Sequence, residues 1–282
     1  MRPPAEVVIR SNRWIHDEVA AFYEHKHTEI FNPTEQARIS AIIARALSEI
    51  DTGADIPTVL DFGAGTGNLS MHLLQQGASV IAADISLQSL QLLQDRCGNA
   101  EKLQLMELNG EDLGALADNS VDMVATYSVL HHVPDYLAAV REFARVVKPG
   151  GVIYIDHEAA PHVWDPPSDA YRRYRQKLAA LEGRSFWTAV WRKFTNIFYI
   201  TAWKRLFNRS VYGIGNEGDI HVTQEDHIEW QLIEKILDED CTLIGKEDYL
   251  VCRERASSPE FHARYADKCS DMRWTMCRKR AL

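Results

Sequence analysis

Residues 58–70 constrain the fold of this chain more strongly than any other segment, and they read TVLDFGAGTGNLS. An apolar run that ends at Asp61 predicts a buried strand, and the apolar residues spaced after Asn68 predict a helix. Between them, three glycines alternate with small residues. Glycine permits a positive φ and lets a ligand lie directly against the N–H groups of a helix start. The segment therefore predicts a strand, a tight turn and a helix that bind a flat, polar ligand.

A second apolar run, Ser79 to Asp84, ends in an acid that lies 21 positions after Gly63. In dinucleotide-binding folds an acid at this distance follows the second strand and binds the ribose hydroxyls. Asp84 is therefore predicted to bind a ribose. Ser86 is typical of a residue that caps a helix, here predicted from Leu87 to Arg96. Because NAD and S-adenosylmethionine both contain a ribose, Asp84 does not decide between them.

The spacing of the glycines separates these two ligands. NAD-binding turns carry G-x-G-x-x-G, whose third glycine lets the helix pack closely, and Asn68 occupies that position here. This disfavours an NAD-dependent oxidoreductase, which stays open only as a third alternative. Asp61 followed by G-x-G-x-G instead resembles motif I of the class I S-adenosylmethionine-dependent methyltransferases.

Three later segments carry the same resemblance. NGEDL at 109–113 follows a predicted strand and is similar to the family segment that faces the adenine. Residues 119–135, NSVDMVATYSVLHHVPD, predict a buried strand and then a loop with two histidines, and KPGG at 148–151 ends a helix and leads into a fifth strand. This order is similar to motifs IV to VI of the ubiquinone and menaquinone methyltransferase-like group, often called type 11. The resemblance covers Pro57 to Glu158.

The resemblance implies a Rossmann-like α/β fold with seven strands in the order 3-2-1-4-5-7-6. It places the last strand antiparallel to its neighbours, with helices before the sheet and an α-helical insertion after the fifth strand. It implies S-adenosyl-L-methionine as the cofactor. The residues that it implies for cofactor binding are Asp61, Gly63, Ala64, Gly65, Gly67, Asp84, Ile85, Asn109, Gly110, Glu111 and Tyr127.

Three regions are expected along the chain. Residues 1–52 predict a helical cap, with helices from Trp14 to Glu24 and from Pro33 to Ile50. Residues 53–158 and 223–282 form the predicted methyltransferase core. Residues 159–222 are an aromatic and basic insertion that the generic fold does not require.

The insertion concentrates positive charge in a chain whose net charge is −9. Between Tyr171 and Arg209 lie ten basic residues and one acid, and aromatic residues recur at helical spacing from Phe186 onward. Two interpretations stay open: a lid over the active site, which could also hold a prenyl or acyl tail, and a helix in peripheral contact with a membrane surface. Nucleic-acid binding is disfavoured, because the rest of the chain is strongly acidic and would repel phosphates.

The remaining composition favours a cytoplasmic protein. No apolar run approaches the roughly 18 residues of a transmembrane helix, and the start, MRPPAEVVIR, lacks the apolar core of a signal peptide. Five cysteines without C-x-x-C spacing predict reduced thiols and no zinc cluster. We therefore expect a cytoplasmic location, with peripheral membrane contact through 171–209 as the open alternative.

The histidines that follow the predicted strands are the candidate catalytic groups. His132 comes after the fourth strand and His157 after the fifth, where strand ends border the ligand crevice. Histidine is the natural general base near neutral pH, although a structural capping role stays open for either residue. No metal is expected, because His157, His162 and His221 lack a fixed ligand spacing. The candidate acceptor contacts are His27, Asn32, His131, His162 and Trp191.

The sequence thus predicts an S-adenosylmethionine-dependent methyltransferase. In-line displacement would move the methyl group to a hydroxyl or an activated carbon of a small or lipid-linked acceptor. The alternative from another class is a partner or regulatory module that binds the cofactor without catalysis.

Overall fold

A computed structural model describes residues 4–98, 100–183, 218–253 and 258–281. The helices are α1 (Ala5–Val19), α2 (Tyr23–Lys26), α3 (Pro33–Ser48), α4 (Asn68–Gln75), α5 (Leu87–Cys97), α6 (Tyr136–Val146), α7 (Asp169–Gly183), α8 (Trp230–Asp240) and α9 (Pro259–Ala266). The strands are β1 (Thr58–Phe62), β2 (Ser79–Asp84), β3 (Leu103–Glu107), β4 (Val121–Tyr127), β5 (Val147–Ala159), β6 (Cys241–Tyr249) and β7 (Met272–Lys279).

The seven strands form one sheet in the order β3-β2-β1-β4-β5-β7-β6, which confirms the predicted order. β1 to β5 run parallel, and β7 lies antiparallel between β5 and β6. The connections between strands change direction between β1 and β4. The strands β2 and β3 lie on one side of this point, and β5, β7 and β6 lie on the other side. In such sheets ligands bind outside the carboxyl ends of the strands at this switch point.

Both faces of the sheet are covered, which explains why its central strands are apolar almost throughout. Every residue of β4 is buried, and β1 is buried from Val59 onward. One core cluster packs α3 and α4 against the sheet, and a second packs α6 and α8 on the other face. The sheet is therefore a rigid platform whose polar strand ends are exposed to a common crevice.

Side-chain caps explain where several helices begin. The Asn32 side chain accepts a hydrogen bond from the Glu35 N–H at the start of α3, and Pro33 follows at the first helical position. Ser86 caps α5 in the same way, as the sequence predicts. These caps fix the two helices that border the crevice.

One helix start differs from the sequence-based expectation. α1 begins at Ala5 and not at Trp14, because the polar residues 10–13 lie within an amphipathic helix that packs on α5. α8 begins at Trp230, after residues 218–229, which form an irregular segment that returns to the strand ends. Ser258 caps α9, and Pro259 occupies its first turn.

Most of the predicted aromatic and basic segment lies outside the described residues. The part that is described includes α7, whose Tyr174 and Leu178 pack with Leu250 in a small separate cluster. Of the described helices, none has both the length and the apolar character needed to cross a bilayer.

Candidate active site

The glycine turn after β1 lies at the floor of a cavity at the switch point of the sheet. Gly63 and Gly65 have φ values of +74° and +53°, so both adopt the left-handed conformation that glycine tolerates. A Cβ atom on Gly63 would lie 2.3 Å from Cγ2 of Val129, whereas nothing lies within 4 Å of the Cβ position of Gly65. Gly63 is therefore required for packing, and Gly65 leaves open space on the ligand side.

Asp84 is held at the edge of this cavity by two backbone groups. The Gly65 N–H donates to Oδ2 at 2.8 Å, and the Ser86 N–H donates to Oδ1 at 2.8 Å. Each carboxylate oxygen has capacity for a further donor. Burial raises the pKa of this carboxyl, which His16 nearby partly opposes. A ligand with two adjacent hydroxyls would therefore stabilise the carboxylate that the protein buries here.

Eight of the eleven residues implied for the cofactor line this cavity. They are Gly63, Ala64, Gly65, Asp84, Ile85, Gly110, Glu111 and Tyr127. The remaining three, Asp61, Gly67 and Asn109, are not among its lining residues.

These three residues lie outside the lining of the cavity and support the segments that form it. Asp61 is buried beneath the turn and accepts a hydrogen bond from the Ser70 hydroxyl at 2.6 Å, and burial raises its pKa to about 7. Gly67 precedes α4 with φ of +103°, and a Cβ there would lie 2.4 Å from Leu93. The Asn109 side chain accepts hydrogen bonds from the N–H groups of Glu111 and Asp112 and so folds the loop after β3. Their contribution is to the shape of the cavity.

The N-terminal helix α1 closes the cavity from above. Ile9, Asn12 and His16 from one face of α1 line it, together with Tyr23. Nδ2 of Asn12 donates to the His132 carbonyl at 2.8 Å, and Arg13 donates to the carbonyls of Ile85 and Leu108. The helix is thus tied to the ends of β2, β3 and the loop after β4. Sequence analysis missed Ile9, Asn12 and Arg13 because the helix was expected to start at Trp14.

A second cavity of about 440 Å³ adjoins the first at the carboxyl ends of β4 and β5. Its wall holds six histidines: His16, His27, His131, His132, His157 and His221. His16, Tyr23, Ile30, Ser128 and His132 line both cavities. The two cavities therefore share part of their walls.

Two strained residues lie opposite each other in the second cavity. Ser128 and His157 have φ values of +60° and +62°, which non-glycine residues adopt rarely. The Ser128 hydroxyl lies 3.2 Å from Nδ1 of His157, while the buried Nε2 of His157 has no hydrogen-bond partner in the described structure. Strain of this kind clusters at functional sites. Burial, with Arg38 and His131 nearby, lowers the pKa of His157 well below its usual value.

His131 and His132 lie side by side in the turn after β4, with ring centroids 4.2 Å apart. Nδ1 of His131 lies 2.8 Å from Oε2 of Glu158, and Oε1 of Glu158 accepts the N–H groups of Val129 and Leu130. Burial, with His131 and His16 nearby, lowers the pKa of His132 well below its usual value. Both rings are therefore fixed in place, and the His132 ring is neutral near pH 7.

A buried polar network supports this site from below. Arg38 on α3 donates to Glu35 at 2.6 Å and to Asp156 at 2.8 Å. Asp156 also accepts from the Tyr249 hydroxyl at 2.9 Å and from the His157 N–H at 2.6 Å, as well as from the Tyr154 hydroxyl. This network connects α3, β5 and the end of β6, and it holds the backbone that carries His157.

The structure separates the other predicted acceptor residues. His27 and His131 line the second cavity, but Asn32 does not, since its Nδ2 donates to the carbonyls of Thr28, Glu29 and Cys252. His162 lines a different depression and its Nε2 lies 3.0 Å from the Ser270 carbonyl oxygen. Trp191 lies outside the described residues. The set His157, His162 and His221 is not brought together, because the ring nitrogens of His221 face Asp226 and the Val133 carbonyl.

Comparison with known proteins agrees with this geometry. Residues 60–155 match the methyltransferase domain family Methyltransf_11. The chain is 37% identical over 98 residues to a ubiquinone biosynthesis O-methyltransferase of Albidiferax ferrireducens, which covers 34% of this chain and 39% of that protein. It is 38% identical over 103 residues to a demethylmenaquinone methyltransferase of Corynebacterium urealyticum, which covers 36% of this chain and 42% of that protein.

A solved structure is similar over a larger part of the chain. The S-adenosylmethionine-dependent methyltransferase of Mesorhizobium loti superposes with a TM-score of 0.53 at 15% identity, covering 85% of this chain and 96% of that one. At this identity the likeness shows the fold alone. The matches to the curated relatives span about two fifths of their length.

The fold and the turn after β1 define a class I methyltransferase domain. Within that class, residues 60–155 match the type 11 methyltransferase domain, and the relatives that are similar over this part of the chain include a ubiquinone biosynthesis O-methyltransferase and a demethylmenaquinone methyltransferase.

The buried His157 gives a prediction for the pH dependence of stability. Its pKa is lowered in the folded state, so the unfolded chain binds more protons below about pH 6.5, the usual histidine pKa. This residue therefore supports stability above that pH and loses its contribution as the pH falls. We expect His157→Asn, which keeps a side chain tolerant of positive φ, to lose less stability than the wild type between pH 7.5 and 5.5. Urea unfolding at both pH values measures this, and parallel losses would contradict it.

Proposed function

We propose that this protein transfers a methyl group from S-adenosylmethionine to a hydroxyl of a small or lipid-linked acceptor held in the histidine-lined cavity. An activated carbon is the other acceptor atom compatible with the resemblance. The observation that carries the proposal is the pair of adjoining cavities: one has the glycine turn and Asp84, and the other has buried neutral histidines.

The residues of the first cavity fit the cofactor. Asp84 offers two buried carboxylate oxygens to ribose hydroxyls, and the open space at Gly65 lets a ligand approach the backbone. Gly110 and Glu111, on the loop folded by Asn109, line the same cavity, which supports their assignment to the adenine. The bound cofactor supplies a methyl group on a sulfonium, which is both the electrophile and the leaving group.

The residues of the second cavity would align the acceptor and take its proton. His157 is the better supported base, since its buried Nε2 has no hydrogen-bond partner in the described structure and its ring is neutral near pH 7. Ser128 lies within hydrogen-bonding distance of the other ring nitrogen and so orients the imidazole. His132, which lines both cavities, borders the path between donor and acceptor. The assignment of His132 as the base stays a prediction, as does the assignment of His157.

Calorimetry with S-adenosylhomocysteine tests the donor half of the proposal. We expect one binding site per chain with micromolar or tighter affinity, and absence of binding to the folded protein would overturn the proposal. The acceptor half is tested with radiolabelled S-adenosylmethionine and a panel of phenolic and prenylated acceptors. Binding of the cofactor together with an unaltered biological role of the His157→Asn variant would instead favour the non-catalytic partner.

A further inference from the structure

We propose that His131, His132 and Asp219 bind a divalent transition-metal ion such as zinc at the edge of the second cavity. Among the described residues these three side chains form a group whose candidate ligand atoms all lie within 4.8 Å of one another. Two imidazoles and one carboxylate suit zinc and other divalent transition metals.

The distances between these ligand atoms match a coordination shell. Nδ1 of His132 lies 3.4 Å from Oδ1 of Asp219, and Nε2 of His131 lies 3.8 Å from the same oxygen. Neighbouring ligands in a tetrahedral site are separated by roughly 3.4 Å, since zinc binds nitrogen and oxygen at about 2.0–2.2 Å. These two separations are close to those of a tetrahedral shell, and all three candidate ligand atoms lie within 4.8 Å of one another.

The orientation of His131 is the second observation that points to a metal. Oε2 of Glu158 lies 2.8 Å from Nδ1 of the ring, and Nε2 is the nitrogen that lies 3.8 Å from Oδ1 of Asp219. Glu158 is itself fixed by two backbone N–H groups. Metal-ligating histidines almost always have such a carboxylate or carbonyl partner on their other ring nitrogen.

The state of His132 is the third observation. Its Nδ1 atom is buried and makes no hydrogen bond in the described structure, although it faces Asp219. A buried nitrogen without a hydrogen bond carries a desolvation penalty. A bound cation would remove this penalty.

Three protein ligands leave one position open, and the cluster lies on the wall of the second cavity. A role for this metal ion in activating the acceptor rests on the proposed function. An acceptor hydroxyl bound at the open position would lose its proton more easily, and the proton would pass to Nε2 of His157. The oxygen then forms the new O–C bond while the C–S bond breaks and its electron pair leaves with the sulfur.

Cobalt titration of the chelator-treated full chain tests the metal site without any activity measurement. We expect one Co²⁺ per chain, visible absorption bands of a four- or five-coordinate ion, and displacement by Zn²⁺. His131→Ala and Asp219→Asn should each weaken Co²⁺ binding at least about 100-fold, and Glu158→Gln by about 10- to 100-fold. Asp219 is partly exposed, so its variant should fold even if the histidine variant does not.

His162→Ala is the matched control, because His162 also lies near a carboxylate, Asp248 at 3.7 Å, outside the cluster. It should bind Co²⁺ as the wild type does. Absence of Co²⁺ binding to the wild type would overturn the proposal, as would wild-type affinity in the Asp219→Asn variant. Calorimetry with S-adenosylhomocysteine on the same metal-free protein tests the proposed function separately, since the cofactor cavity does not contain Asp219.

Discussion

The Asp84→Ala variant is expected to bind S-adenosylhomocysteine at least about 100-fold more weakly than the wild type. A hydrogen bond to a charged group contributes about 1.5–3 kcal/mol, and two ribose hydroxyls would lose their acceptor together. Each 1.4 kcal/mol corresponds to a tenfold change in affinity. Isothermal titration calorimetry at pH 7.5 measures the difference directly.

A control for this experiment is available at the same edge of the sheet. Glu107 ends β3, pairs in register with Asp84, is exposed and does not line the cavity. Glu107→Ala should therefore bind as the wild type does. The Asp84→Asn variant keeps a side-chain oxygen that can accept a hydrogen bond from a backbone N–H. It therefore distinguishes loss of the ribose contact from a change in the conformation of the glycine turn. Undiminished affinity in both Asp84 variants would refute the ribose assignment.

The Asp156→Ala variant is expected to lower the free energy of unfolding by about 3–5 kcal/mol, the range found when one member of a buried ion pair is removed. Asp156 is fully buried, and its loss leaves Arg38 with one carboxylate partner. The hydroxyls of Tyr154 and Tyr249 also lose their acceptor. Urea unfolding monitored by circular dichroism gives the difference.

A double-mutant cycle distinguishes the network from simple loss of packing. The Arg38→Ala and Asp156→Ala changes should be clearly non-additive, because each single variant already breaks the shared pair. Asp118, whose side chain is 69% exposed and pairs with Arg145, provides the exposed comparison, and Asp118→Ala should have little effect. Additive losses in the cycle would show that the pair does not act as a unit.

The glycine turn and the acid after β2 were predictable because their signals are local. Gly63, Gly65 and Asp84 belong to short segments whose spacing follows from the geometry of a strand, a turn and a helix. The strand order followed from the family resemblance and is confirmed by the sheet. Asn109 was expected at the adenine, yet its side chain folds the loop. A residue type alone does not show whether a side chain faces the ligand or its own backbone.

The histidine-lined cavity was only partly predictable. The sequence singled out His132 and His157, but Ser128 carried no signal, because its left-handed φ of +60° appears only in the folded chain. Asp219 lies 87 positions after His132, and no local pattern links an irregular segment to a turn at that distance. His16 lies within the predicted first helix, but nothing in the sequence indicated which face of that helix lines the cavity.

The sequence by itself determined the class of fold, the class of cofactor and the residues that shape the glycine turn. These depend on backbone conformation and on spacing within a few dozen residues, which a single chain displays directly. Only the tertiary structure decided which histidines share a cavity, which carboxylates orient them and which ring nitrogens have no hydrogen bond. Those properties arise where the ends of β4 and β5, helix α1 and the segment around Asp219 converge, and they depend on distances between residues far apart in the chain.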